Sequence, residues 1–129
     1  MLENFIPQLI TDLELPVKSL ESKVQGVYTL PMNKDNSIEI TDLMTGFILK
    51  CQIAPFPKKQ EELFISKVML ANLFGQGTKE AVLSLSRENN FLTLNRLIDR
   101  PVNYKEFIET LEDFINVLNF WKEEVILFS

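Results

Sequence analysis

The stretch Gly75-Gln76-Gly77-Thr78-Lys79 holds the residue types of a phosphate-binding loop: two glycines, a hydroxyl and an ammonium. The chemistry would be a cradle of backbone N–H groups and a lysine around nucleotide phosphates at the start of a helix. The spacing excludes it. A P-loop places four residues between its glycines and closes on Gly-Lys-Ser/Thr, after a strand and before a helix. Here one residue separates the glycines and threonine precedes lysine. The surrounding pattern puts a helix before the loop and a strand after it, so a dinucleotide-binding turn fails on the same order. The stretch reads as a helix end capped at Gly75, followed by a turn.

Other chemistry-bearing residues are as poorly arranged. Asp35-Asn36-Ser37 supplies oxygen ligands but lacks the glycine and terminal glutamate of a calcium loop, and reads as a hairpin turn. Glu61-Glu62 and Glu123-Glu124 are adjacent carboxylates. Neighbours on a helix do not face each other, so neither pair forms a catalytic dyad. Trp121 falls on an apolar helical seam and reads as packing rather than as a stacking platform. The chain has no histidine, which removes the commonest general base and most zinc sites. Nucleophile, base and oxyanion site are not assembled, and no metal or cofactor set is expected. An enzyme built on carboxylates or on Tyr28 and Tyr104 would need a deep polar pocket that holds perturbed carboxylates.

Composition bounds the partners. With 129 residues, the chain fits a single domain, 1–129, able to bury a core without disulfides or metals. Hydrophobic residues make up 46% and charged residues 24%, as in globular proteins. The net charge of −5 argues against nucleic acid or an anionic membrane as partner. Cys51 is the single cysteine, which fits a reducing cytosol. The start, Met1-Leu2-Glu3, has no basic stretch before an apolar run, so no signal peptide is expected. Charges break the apolar runs, and no segment is expected to span a bilayer.

These side chains need elements to position them. Leu2, Phe5, Ile6, Leu9 and Leu13 recur at helical spacing, which predicts a helix from Leu2 to about Leu15, regular from near Asn4 because Pro7 fits only a first turn. A polar stretch at 21–25 follows. Residues 27–32, 37–43 and 47–54 read as three strands, separated by turns at 34–36 and 44–46. In the third, Phe47, Leu49, Cys51 and Ile53 alternate with Lys50 and Gln52, so Cys51 is expected in the core. A second helix is expected over 58–74, apolar over so wide an arc that it needs two neighbours, one of them a candidate second subunit. Residues 81–86 and 91–97 form a hairpin across a turn at 87–90. The last helix starts at Asn103 as N-cap, with Glu106 placed to reach back. Its seam is Phe107, Leu111, Phe114, Leu118, Trp121 and Val125, with Ile108, Ile115 and Phe120 as a second apolar set. The end, 125–129, has no polar cap and either docks on the body or frays. This order predicts an α+β fold with a largely antiparallel sheet. The number of apolar stripes exceeds what one small core needs, which favours a protein that binds protein.

The stretch Ala71-Asn72-Leu73-Phe74-Gly75-Gln76-Gly77-Thr78-Lys79-Glu80-Ala81-Val82-Leu83-Ser84-Leu85 resembles the Tir chaperone (CesT-like) family, the class I chaperones of bacterial type III secretion. Arg87-Glu88-Asn89-Asn90-Phe91-Leu92-Thr93-Leu94 is similar to the family's hairpin, and the segment from Tyr104 to Trp121 to its final helix. Phe5-Ile6-Pro7-Gln8-Leu9 and Leu13-Glu14-Leu15-Pro16 fit its first helix. The resemblance implies an α-β-β-β-α-β-β-α fold with a twisted sheet and a homodimer in the bacterial cytoplasm. It also implies an ATP-independent chaperone, not an enzyme. Such a protein keeps the N-terminal region of one or a few secreted effectors extended and delivers it to the export apparatus, whose ATPase would be a further partner. On this reading Leu2, Phe5, Ile6, Leu9 and Leu13, with Leu83, Leu85, Leu92 and Leu94, are candidates for effector contact, and Leu70, Leu73 and Phe74 for the dimer interface. A non-secretion adaptor on the same fold, binding a folded protein, is the alternative.

Overall fold

The computed structural model describes residues 2–17, 19–32, 36–74, 80–86 and 90–128. The cap and turn expected at 75–79, and most of the turns expected at 34–36 and 87–90, lie outside these residues. The element order is α1 (Leu2–Asp12), β1 (Glu21–Val24), β2 (Val27–Pro31), β3 (Ser37–Asp42), β4 (Phe47–Pro55), α2 (Glu61–Phe74), β5 (Val82–Leu85), β6 (Phe91–Ile98) and α3 (Tyr104–Leu127). The strands form one antiparallel sheet of six, in the order β1-β2-β3-β4-β6-β5. The α+β class and antiparallel sheet match the sequence expectation.

β1 was not expected. The segment Glu21-Ser22-Lys23-Val24 is polar because it forms the sheet's outer edge, where charge deters unwanted pairing. The signal for it is Gly26 at φ +82°, in a two-residue turn that joins β1 to β2.

Alternation sorts the sheet into two faces. Leu30, Ile38, Ile40, Phe47, Leu49, Cys51, Leu83, Leu92 and Leu94 are buried and point toward the helices. The other face carries Glu39 opposite Lys50, beside Asn95 and Val82. A bulge between Gln52 and Ala54 turns both Ile53 and Ala54 inward. Asn36 braces it, its side-chain amide donating to Gln52 O at 2.8 Å and Ile53 O at 3.0 Å. At the β3–β4 turn Met44 takes φ +69°, and a Cβ at Gly46 would collide with the Ile98 carbonyl. This turn therefore packs on the end of β6 only as glycine.

α3 behaves as its periodicity predicts. Phe107, Leu111, Phe114, Leu118, Trp121 and Val125 are all buried, joined by Val117. Asn103 is the N-cap, its Oδ1 accepting from Glu106 N at 2.9 Å. The Glu106 carboxylate does not reach back to complete a capping box. It pairs with Arg100 at 2.8 Å, a stronger charge partner than a backbone N–H. The C-terminal end is docked: the Phe128 ring lies 5.1 Å from that of Phe64.

Candidate partner-binding surfaces

α1 begins at Leu2, earlier than Pro7 suggested, and carries Pro7 in its interior. The helix survives the lost N–H because tertiary packing outweighs local propensity. Leu2 and Leu9 are fully buried, and Phe5, Ile6, Ile10 and Leu13 pack half-buried on the core. Phe5 sits among Phe47, Phe107 and Tyr104, at ring separations of 6.1, 5.4 and 5.5 Å. Both ends of α1 are fastened by carboxylates. Asp42 Oδ2 accepts from Leu2 N at 3.0 Å, and its Oδ1 from Met44 N at 2.8 Å. Partial burial pushes the Asp42 carboxyl up, but these backbone hydrogen bonds outweigh it and hold its pKa below the ordinary value. At the other end Tyr104 Oη donates to Asp12 Oδ2 at 2.7 Å. Burial, reinforced by that bond, raises the Tyr104 phenol well above its ordinary pKa. Burial also lifts the Cys51 thiol to about 11, so it stays a protonated core residue.

The structure separates the candidate contact residues. Leu2, Leu9, Leu83, Leu92 and Leu94 are core side chains in the isolated chain, not surface ones, because each points into the layer between sheet and helices. Phe5, Ile6 and Leu13 remain half-buried, and Leu85 is 48% exposed. Leu70 and Leu73 stand outside at 56% and 74% exposure, while the Phe74 side chain lies outside the described ones.

α2 starts at Glu61, three residues later than expected, after Gln60 at φ +54°. Among its described side chains it fully buries only Phe64, which packs edge-on against Phe56 and Trp121. Leu63, Met69, Leu70 and Leu73 form a stripe along the opposite side, all more than half exposed. Met69, Leu70, Asn72 and Leu73 line a depression of about 460 Å³.

A second apolar strip was missed. Register aligns Val24 with Val27, Val27 with Thr41, Thr41 with Ile48 and Ile48 with Leu97, across five strands on the face away from the helices. Its ends, Val24 at 64% and Leu97 at 54%, are the most exposed. Strand alternation marks each residue as outward, but only the pairing register shows that they form one row.

Among the described residues no group of three or more acidic, Cys or His side chains could hold a metal, and no helix is long and apolar enough to cross a membrane. The Glu61-Glu62 pair is exposed, and Glu124 is taken by Lys67 at 2.6 Å.

The structure is a helix–sheet layout with apolar side chains left outside its core. Comparison makes the class specific. The Tir chaperone protein (CesT) family model matches residues 4–122, so the chain belongs to this family. A Chlamydia pneumoniae protein is 26% identical over 128 residues, covering 97% of this chain and 96% of its own length. The fold is similar to that of a chain in the ExsC–ExsE complex, with TM-score 0.74, 13% identity and coverage of 96% of this chain and 92% of that one. It is also similar to that of the Yersinia pestis type III secretion chaperone SycH in complex with a stable fragment of YscM2, with TM-score 0.67, 12% identity and 100% coverage of both chains.

Proposed function

We propose that this chain is an ATP-independent cytoplasmic chaperone of a bacterial type III secretion system. On this reading it binds the N-terminal region of one or a few effectors and keeps that region extended for hand-over to the export apparatus and its ATPase. The observation that carries the reading is the apolar surface left outside the core of a chaperone-family member: half-buried Phe5, Ile6 and Leu13, exposed Leu85 and the sheet-face row. An extended segment can lay side chains on such a surface while its backbone pairs with a sheet edge. Ordering the segment costs entropy, so contact must be spread over a large area.

The surfaces divide by accessibility. Phe5, Ile6 and Leu13 of α1, with Leu85, are the client contacts; Leu2, Leu9, Leu83, Leu92 and Leu94 hold those contacts in place from beneath. Leu70 and Leu73, with Phe74, join two copies through α2. SycH held with a fragment of YscM2 supports client binding by this fold.

The test is a pull-down of the tagged chain from its source organism, with limited proteolysis of what co-purifies. A partner protected over a stretch near its own N-terminus, with the remainder digestible, is the expected result. A partner protected only as an intact folded domain would replace this reading with the adaptor.

A further inference from the structure

The sheet has two edges, β1 and β5, and they are built differently. β1 reads Glu-Ser-Lys-Val, with two charges in four residues. β5 reads Val-Leu-Ser-Leu, with no charge and no proline, and exposes Val82 and Leu85. By composition β5 is the edge that invites another strand.

That edge is occupied by a side chain. Leu83 N donates to Asn72 Oδ1 at 2.9 Å, and Asn72 Nδ2 donates to Leu83 O at 2.9 Å. Leu83 stands opposite Leu94 of β6. In an antiparallel ladder, alternate residues turn both backbone groups away from their neighbour strand, where the next strand would take them. The Asn72 amide supplies the same donor and acceptor, so one side chain of α2 stands in for a strand at Leu83. The two-bond geometry needs both amide atoms: aspartate would set an oxygen against the Leu83 carbonyl, and leucine would leave both groups unmet.

We propose that Asn72 is a specificity-determining residue that closes the β5 edge to strand addition. The closure itself is a property of the chain and applies to any extended peptide. It also explains how an uncharged, exposed edge strand can lie beside the apolar α2 stripe. Side chains of a second copy can meet there without the two sheets joining edge to edge.

The probe is a soluble peptide of alternating Thr and Val, about ten residues long, enough to cover an edge strand. Amide hydrogen exchange is read separately at 21–24 and 82–85 in the full chain, with and without peptide. In the wild type, peptide should leave exchange at Leu83 and Leu85 unchanged. In Asn72→Ala, Leu83 should exchange roughly tenfold faster without peptide, and Leu85 should gain protection with it. Circular dichroism checks that the variant is folded, and Asn72→Ser, whose side chain is too short to hold both Leu83 groups, serves if Asn72→Ala is not. Peptide protection of β5 in the wild type would overturn the proposal without reference to any variant. So would a folded Asn72→Ala or Asn72→Ser chain whose β5 gains no protection from peptide. Failure of the chaperone reading would show instead in the pull-down, with the edge measurements unaffected.

Discussion

α2 and α3 are both rich in apolar residues, yet they use them in opposite ways. α3 puts seven side chains into the core, from Phe107 to Val125, and leaves a mostly polar outer face. α2 buries Phe64 and holds Leu63, Met69, Leu70 and Leu73 in solvent. A helix that is apolar all round is expected where it has neighbours on two sides. In this chain α2 has one such neighbour, the body itself, reached through Phe64, Val68 and Ala71. The contrast separates a helix that builds the core from one that leaves apolar surface outside it.

The largest test of this contrast is in α3. Trp121 is 1% exposed and stacks edge-on with Phe64 and Phe120. Trp121→Ala should lower unfolding free energy by about 3–5 kcal/mol, the transfer loss plus a cavity between α2 and α3. Urea unfolding followed by circular dichroism measures it. A loss under about 1 kcal/mol would mean that the seam is not the stabilising element.

The counterpart on α2 should leave the fold alone and remove association. Leu70→Glu with Leu73→Glu places two charges on exposed positions, so protomer stability should change by less than about 0.5 kcal/mol each. Buried in a dimer, each would weaken association by about 2 kcal/mol or more. Sedimentation across a dilution series separates the two quantities. A wild type that stays monomeric would refute the α2 interface, and a double variant that unfolds would show that α2 belongs to the core after all.

The same contrast explains what was legible in the sequence. α3 was readable nearly to the residue because its periodicity reports one buried face. α2 was readable only as ambiguous, since its pattern mixes Phe64, which packs inward, with Leu70 and Leu73, which do not. Leu2 and Leu9 looked like contact residues because a stripe does not say whether it meets the body or a partner. β1 was missed because this edge strand is polar and carries no apolar alternation, and Pro7 misplaced the start of α1 because packing overrides a local helix breaker. The sheet-face row and the Asn72–Leu83 pair depend on register and on helix placement, which no local pattern carries.

α1 is a third case, with an apolar stripe docked on the core and polar fastenings at its ends. Asp42→Ala removes the acceptor for Leu2 N and Met44 N and should cost about 1 kcal/mol. The pH dependence has a defined sign. The folded pKa of Asp42 lies below its unfolded value, so the fastening contributes fully above the unfolded pKa and is lost as pH falls through the folded one. The wild type should therefore lose part of its advantage over Asp42→Ala only below about pH 4. Equal losses at pH 7 and pH 3 would show that the carboxylate charge plays no part.

The smallest effect is expected where α2 and α3 touch through charge. Lys67 Nζ lies 2.6 Å from Glu124 Oε2 and 5.7 Å from the centre of the Phe128 ring. The Lys67 side chain is 42% exposed, so water and salt screen the pair, although Glu124 itself is only 12% exposed. Lys67→Met keeps the aliphatic stem over Phe128 and removes only the charge. It should cost about 0.5 kcal/mol, and the cost should shrink as salt is raised. If it cost as much as Trp121→Ala, the link between the two helices would be electrostatic. α2 would then be held by its polar flank rather than by Phe64, and the division between a core helix and a surface helix would have to be redrawn.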